Sequence, residues 1–204
     1  MTDEPIAPAA EGPAAPAPTP RRRPLELVLF LAVLVAALVG ALVWGRPRPL
    51  PDTGSDFSVI RSAPSPAPAL ALRDLGGGPV RLTDFRGRVV LLNFWATWCP
   101  PCRDEMPAIQ ALARELDRQG LVVLAVNYQE GAEAVRQFTG EARFALPVLL
   151  DTDGAVTRQY RVTVLPTSVL IDRRGALVGT VIGFRDWAAP EARAYLQGLL
   201  ASTG

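Results

Sequence analysis

The sequence contains no histidine, which removes several chemistries at once. A Ser-His or Cys-His nucleophile, His-based general acid–base catalysis and histidine ligation of metal or haem are all excluded. There are only 2 cysteines, so a four-ligand zinc site of cysteine and histidine cannot be assembled. Covalent haem attachment needs a histidine directly after the second cysteine, and Arg103 stands there. Lysine is also missing: all 21 basic residues are arginine, a compositional bias to which no function is attached. Net charge is low, +1 at neutral pH, which argues against a nucleic-acid partner. There are no internal repeats. What is plentiful is apolar residues, 49% of 204, enough for one domain of about 140 residues plus additional segments.

Both cysteines fall in one stretch, Val89 to Pro107. Val89 to Phe94 is apolar except for Asn93 and opens on two β-branched valines, the pattern of a strand buried on both faces. Pro100 and Pro101 suit the first turn of a helix, where a missing N–H costs nothing. Ile109, Leu112, Ala113 and Leu116 then recur at helical spacing. A strand therefore feeds a helix whose first turn holds Cys99 and Cys102. Residues three apart in such a turn can bring their Cα atoms within about 5–6 Å, the window for a disulfide. At the helix start, Cys99 is expected to face unpaired N–H groups and the positive end of the dipole, both of which favour thiolate. Cys99 is assigned as the attacking thiol and the more shielded Cys102 as the resolving thiol, with exchange through a mixed disulfide. A purely structural disulfide is the weaker reading, because so short a loop contributes only about 2 kcal/mol.

Residues 1–24 are rich in proline and alanine without periodicity and read as a disordered tail. Arg21, Arg22 and Arg23 precede an apolar run, residues 25–45, whose length matches the hydrocarbon core of a bilayer. Three arginines before the run, against Arg46 and Arg48 after it, predict a single-pass signal anchor with a cytoplasmic N-terminus. The remaining chain then lies extracytoplasmically, in an oxidising compartment at the cell membrane. The alternative is a cleaved signal peptide, though the run exceeds the usual signal core. Residues 46–67 read as a Pro-rich tether, and residues 68–202 as the folded domain.

Within that domain Ala69–Arg73 and Pro79–Leu82 are predicted to form a hairpin around Gly76–Gly78. Further strands are expected at Leu121–Asn127, Leu146–Leu150, Ser168–Ile171 and Ala176–Ile182. Helices are expected at Gly131–Thr139, Ala155–Tyr160 and Asp186–Leu200, the last with Trp187, Ala194, Tyr195 and Leu199 as core contacts. Pro107 is expected to kink the first helix. The alternation argues an α/β layered fold. Pro166, just before a core strand, belongs at a strand start. Glu105 lies three residues beyond Cys102 and can share its helix face; on spacing alone a solvated surface acid is favoured. Trp95 and Trp98 read as packing around the sulfurs, and Trp98 is also a candidate partner contact.

The segment Asn93-Phe-Trp-Ala-Thr-Trp-Cys-Pro-Pro-Cys-Arg-Asp-Glu-Met-Pro107 resembles the active-site segment of the thioredoxin superfamily. It is most similar to the membrane-anchored, extracytoplasmic TlpA/ResA/CcmG-like group. Leu82-Thr-Asp-Phe-Arg-Gly-Arg88 and Val164-Leu-Pro-Thr-Ser-Val-Leu-Ile-Asp172 resemble the same group, over roughly residues 66–200. The resemblance implies a thioredoxin-like fold, a central mixed β-sheet flanked by helices, with an N-terminal β-hairpin and one preceding transmembrane helix. It implies a thiol–disulfide oxidoreductase, most often a reductase, with a redox disulfide Cys99–Cys102. It implies that Glu105 lies near the pair and tunes it, and that Pro166 is a cis proline facing the cysteines. Leu165 would then offer its backbone to a substrate strand, as in β-augmentation. The implied partners are a protein disulfide substrate, an apocytochrome c among the candidates, and a transmembrane thiol electron donor. No cofactor or metal is called for. Asn93 departs from thioredoxin itself, where a buried acid occupies that strand position; Asn93 cannot titrate. Alternatives are a disulfide oxidase of the same fold, a thiol peroxidase, and a non-catalytic binding module.

Overall fold

The computed structural model describes residues 28–29, 31–38 and 57–202. Residues 28–29 and 31–38 are helical and exposed. Among the described residues no helix is long and apolar enough to cross a membrane. The N-terminal tail, most of the expected span and the tether up to residue 56 lie outside the described residues. The structure divides into two units at Pro51/Asp52, and everything below concerns the second.

Eight strands form one sheet: β1 (Ile60–Pro66), β2 (Ala71–Asp74), β3 (Pro79–Arg81), β4 (Val89–Trp95), β5 (Leu121–Tyr128), β6 (Val148–Asp151), β7 (Thr167–Ile171) and β8 (Ala176–Ile182). Their spatial order is β1-β8-β7-β4-β5-β6-β2-β3. β4, β5 and β6 run parallel, and β7, β8 and β1 continue antiparallel on the other side of β4. Four helices cover the sheet: α1 (Pro100–Leu116), α2 (Ala132–Glu141), α3 (Ala155–Gln159) and α4 (Pro190–Ala201). The α/β layering is what the alternation of elements predicts, and the mixed sheet is what the resemblance implies.

β4 is central, and all seven of its residues are buried. Side chains alternate across a strand. Val89, Leu91 and Trp95 accordingly join the core beneath α1, with Ile109, Leu112, Leu116, Trp187 and Leu196. Val90, Leu92 and Phe94 join the opposite core, with Leu70, Val156 and Tyr160. Asn93 belongs by alternation to the α1 side. There α1 turns Cys102, Glu105, Met106, Ile109, Leu112 and Leu116 inward at three- and four-residue spacing, and the helix continues through Pro107.

Two expectations are corrected. The tether expected over residues 46–67 ends earlier, because Ile60–Pro66 pairs antiparallel with β8. Its composition hides this. All seven residues of β1 are exposed, so no apolar alternation marks it, and its prolines fit only because it is an edge strand. The closing helix starts at Pro190, after a loop that carries Trp187, and it buries Ala192, Leu196 and Leu200. Ala194 is exposed, while Tyr195 and Leu199 are half-buried. Trp187 is in the core and Tyr195 and Leu199 pack against its edge, as expected; Ala194 does not, and the deepest positions are Ala192, Leu196 and Leu200.

Candidate functional site

The site forms where β4 runs out and α1 begins. Cys99 is the N-cap of α1, with extended backbone (φ −96°, ψ 101°), and Pro100 and Pro101 fill the first two helical positions. The two cysteines are joined in a disulfide, with Cα atoms 5.3 Å apart. Cys99 keeps a small exposure, 5%, whereas Cys102 has none. An incoming thiol or disulfide can therefore reach Cys99 and not Cys102, the division of roles that attack and resolution require. The expected set of unpaired N–H groups is smaller than anticipated. The prolines carry none, so Cys102 supplies the first free N–H of the helix.

Cys99 opens onto a groove of about 390 Å³. Trp98, Pro100 and Pro101 form one side, Thr163, Val164 and Leu165 another, and Tyr128 and Thr157 also contribute. Trp98 is 62% exposed, so it is a rim residue and not packing around the sulfurs. The Leu165–Pro166 peptide is cis. Leu165 lines the groove, while Pro166 is buried and its carbonyl accepts from the Gly183 N–H at 2.8 Å.

Glu105 lies one turn beyond Cys102 on the same inward stripe and is 2% exposed. The spacing-only reading of a solvated acid is thus replaced by a buried one. Asn93 Nδ2 donates to its Oε1 at 2.8 Å. The Trp187 indole N–H donates to Oε2 at 3.2 Å, and the Arg185 backbone N–H at 3.4 Å. Burial raises the Glu105 pKa from its ordinary 4.5 to about 7; these donors, Asn93 first, pull it back only in part. Asn93 also donates to Ser168 Oγ at 3.0 Å, so this residue ties β4, β7 and α1 together. Sequence reasoning treated Asn93 only as a non-titrating departure and Trp187 only as core. Their roles as donors depend on contacts across 12 and 82 residues, for which no local signal exists.

The relatives agree with this geometry. The profile of the AhpC/TSA family matches residues 64–179. The chain is 41% identical over 119 residues to the thiol-disulfide oxidoreductase ResA of Geobacillus thermodenitrificans, covering 58% of this chain and 68% of that protein. It is 38% identical over 156 residues to ResA of Bacillus thuringiensis subsp. konkukian, covering 76% of this chain and 88% of the relative. Among solved structures, a Chlorobium tepidum protein assigned as the thiol:disulfide interchange protein DsbE superimposes with a TM-score of 0.60 at 33% identity, over 70% of this chain and 96% of that one. A thioredoxin-family thiol:disulfide interchange protein from Chlorobium tepidum TLS gives a TM-score of 0.61 at 26% identity, over 69% and 99%. A disulfide-bonded cysteine pair with Cys99 lining a groove, on this fold and with these relatives, places the chain in the AhpC/TSA family of thioredoxin-like proteins as a thiol–disulfide oxidoreductase.

Proposed function

We propose that this chain is a membrane-tethered, extracytoplasmic protein disulfide reductase that prepares apocytochrome c thiols for haem attachment. Reduced Cys99 attacks a substrate disulfide held in the groove beside Leu165. One substrate sulfur leaves as a thiol, and Cys102 then displaces the other, leaving Cys99–Cys102 oxidised and the substrate carrying two thiols. A transmembrane thiol donor restores the pair.

The observation that carries the direction is the surrounding of Cys102 and Cys99. A buried carboxyl with a pKa raised to about 7 sits one turn beyond Cys102, and once ionised it opposes thiolate formation there. The prolines withhold two helix N–H donors from Cys99. A strong oxidant is one whose reduced form is stabilised, and both features work against that. The anchor is supported by the apolar run at 25–45 and the arginines before it.

Equilibration of the pair against thiol buffers tests the direction. A potential near thioredoxin's, about −270 mV, is expected; a value near about −120 mV would establish an oxidase instead. Addition of purified apocytochrome c carrying an oxidised haem-binding pair tests the substrate, with loss of its disulfide as the expected result.

A further inference from the structure

Glu130, which the reaction above does not use, is tied to the loop that carries Cys99. A tight turn ends β5: Gln129 adopts φ +56°, and its N–H donates to the Asp151 carbonyl at 3.0 Å. The turn brings Glu130 back against residues 96–98. Its Oε2 accepts the Thr97 backbone N–H at 2.8 Å and Asn127 Nδ2 at 2.7 Å, and its Oε1 accepts the Thr97 hydroxyl. Asn127 is fully buried and stands opposite Trp95 in the β4–β5 ladder, so the clasp is anchored in the sheet. Among the described residues Glu130 has no ion-pair partner, and all its hydrogen bonds hold Thr97 or Asn127. The loop's own backbone supplies one turn bond, from Cys99 N–H to the Ala96 carbonyl at 3.2 Å.

A loop acid is ordinarily solvated, and a half-buried one with three donors is ordinarily a brace. The position of this brace gives it a further consequence. Thr97 lies two residues before Cys99; Pro100 and Pro101 lack N–H groups and the disulfide-bonded Cys99 makes no side-chain cap bond, so in the reduced state the helix supplies a Cys99 thiolate with its dipole and, as the first N–H in the helix, that of Cys102. Both fall off within one turn, so a small displacement of Cys99 matters.

We propose that Glu130 is a positioning residue for the exchange reaction: by clasping Thr97 at both backbone and hydroxyl it holds Cys99 at the helix N-terminus, where its thiolate is stabilised. The inference rests on Cys99 being the attacking thiol. Of the other titratable groups around the pair, Cys102 is bonded to Cys99, Tyr128 shares the groove wall and Glu105 lies one turn beyond Cys102, and none of these hydrogen-bonds Glu130.

The test is the pH dependence of iodoacetamide alkylation at Cys99 in the reduced full chain, read by peptide mass spectrometry. Glu130→Ala removes the clasp and the charge. Its midpoint is expected to rise by about half a unit to one unit, slowing alkylation near neutrality about three- to tenfold. Glu130→Gln removes only the charge: its oxygen still accepts the Thr97 N–H and its amide donates to the hydroxyl, so it should behave as the native chain. Both midpoints falling together would mean the carboxylate acts through its charge, and neither moving would make Glu130 a brace alone; either result overturns the proposal. Thr97→Val, which loses only the hydroxyl bond, should give a smaller upward move and carries the test if Glu130→Ala fails to fold. No shift in that variant then refutes the idea. The native chain reports separately on the assignment beneath: if it is alkylated at Cys102 before Cys99, the attacking-thiol role fails whatever the variants do.

Discussion

Replacing Glu105 with glutamine should flatten a specific part of the stability–pH curve. In the unfolded chain the carboxyl releases its proton near the ordinary 4.5, whereas burial in the folded chain holds it to about pH 7. Between those values the folded state binds more protons than the unfolded one, so stability falls as pH rises. Carried across the whole interval, the loss is about 3 kcal/mol, complete by about pH 8 and absent below about pH 4. The variant has no proton to lose. Its amide can be housed: Asn93 Oδ1 is buried without a partner, so an Asn93 flip lets it accept from the new NH₂ while the Ser168 hydroxyl donates to the same oxygen. The Gln oxygen then keeps the Trp187 and Arg185 donors. The assay is urea unfolding of the oxidised chain followed by tryptophan fluorescence, at pH values from about 4 to 8. Keeping the disulfide intact removes the thiols from the titration. The variant-minus-native difference should rise by about 3 kcal/mol across that range in favour of glutamine. A difference constant to within about 0.5 kcal/mol, the usual size of an unrelated surface effect, would refute a proton held on Glu105 to neutrality.

Trp187→Phe keeps an aromatic side chain but deletes the indole N–H donor to Glu105 Oε2, so the same midpoint should move above about 7; the lost bond and the smaller buried ring together should cost about 2 kcal/mol in parallel denaturation curves. Cys102→Ala should accumulate substrate disulfide-linked through Cys99, detectable on non-reducing gels; recovery of no such adduct would count against the assigned roles. Arg173 donates to the carbonyls of Gly87, Gln119 and Leu200 where β4 and β5 begin, at the far end of the sheet from the cysteines. Arg173→Ala should therefore cost about 2 kcal/mol in unfolding experiments and leave the rate of disulfide reduction unchanged.

What the sequence discloses here is governed by range. The Val89–Phe94 run, the cysteine spacing, the two prolines and the hairpin glycines are local patterns, and β4, α1 and the β2–β3 pair follow them closely. The resemblance around Pro166 also supplied the cis peptide that the structure contains. The closing helix was readable as a helix with Tyr195 and Leu199 against the core, but not its deepest positions, Ala192, Leu196 and Leu200, because its Ala and Leu residues spread around much of the cylinder. The neighbours of Glu105 were beyond reading, since Asn93, Arg185 and Trp187 converge from three separate segments. β1 was beyond reading for the opposite reason: it buries no side chain, and only the backbone of β8 reveals it as a strand.

That strand has a bearing on how the domain survives in solution. β8 runs Ala-Leu-Val-Gly-Thr-Val-Ile, apolar and β-prone, and without a neighbour its free backbone edge would be a template for intermolecular pairing. β1 occupies that edge and is itself a poor template: its pairing register breaks between Arg61 and Ser65, Pro64 and Pro66 lack N–H groups, and Arg61 adds a charge. A chain shortened to begin at residue 67 would keep every element of the redox site, yet it would carry an uncovered adhesive edge. Such a truncation should precipitate or self-associate while still forming the Cys99–Cys102 disulfide, and retaining residues from Phe57 onward, whose ring centroid lies 5.1 Å from that of Trp187, should restore solubility.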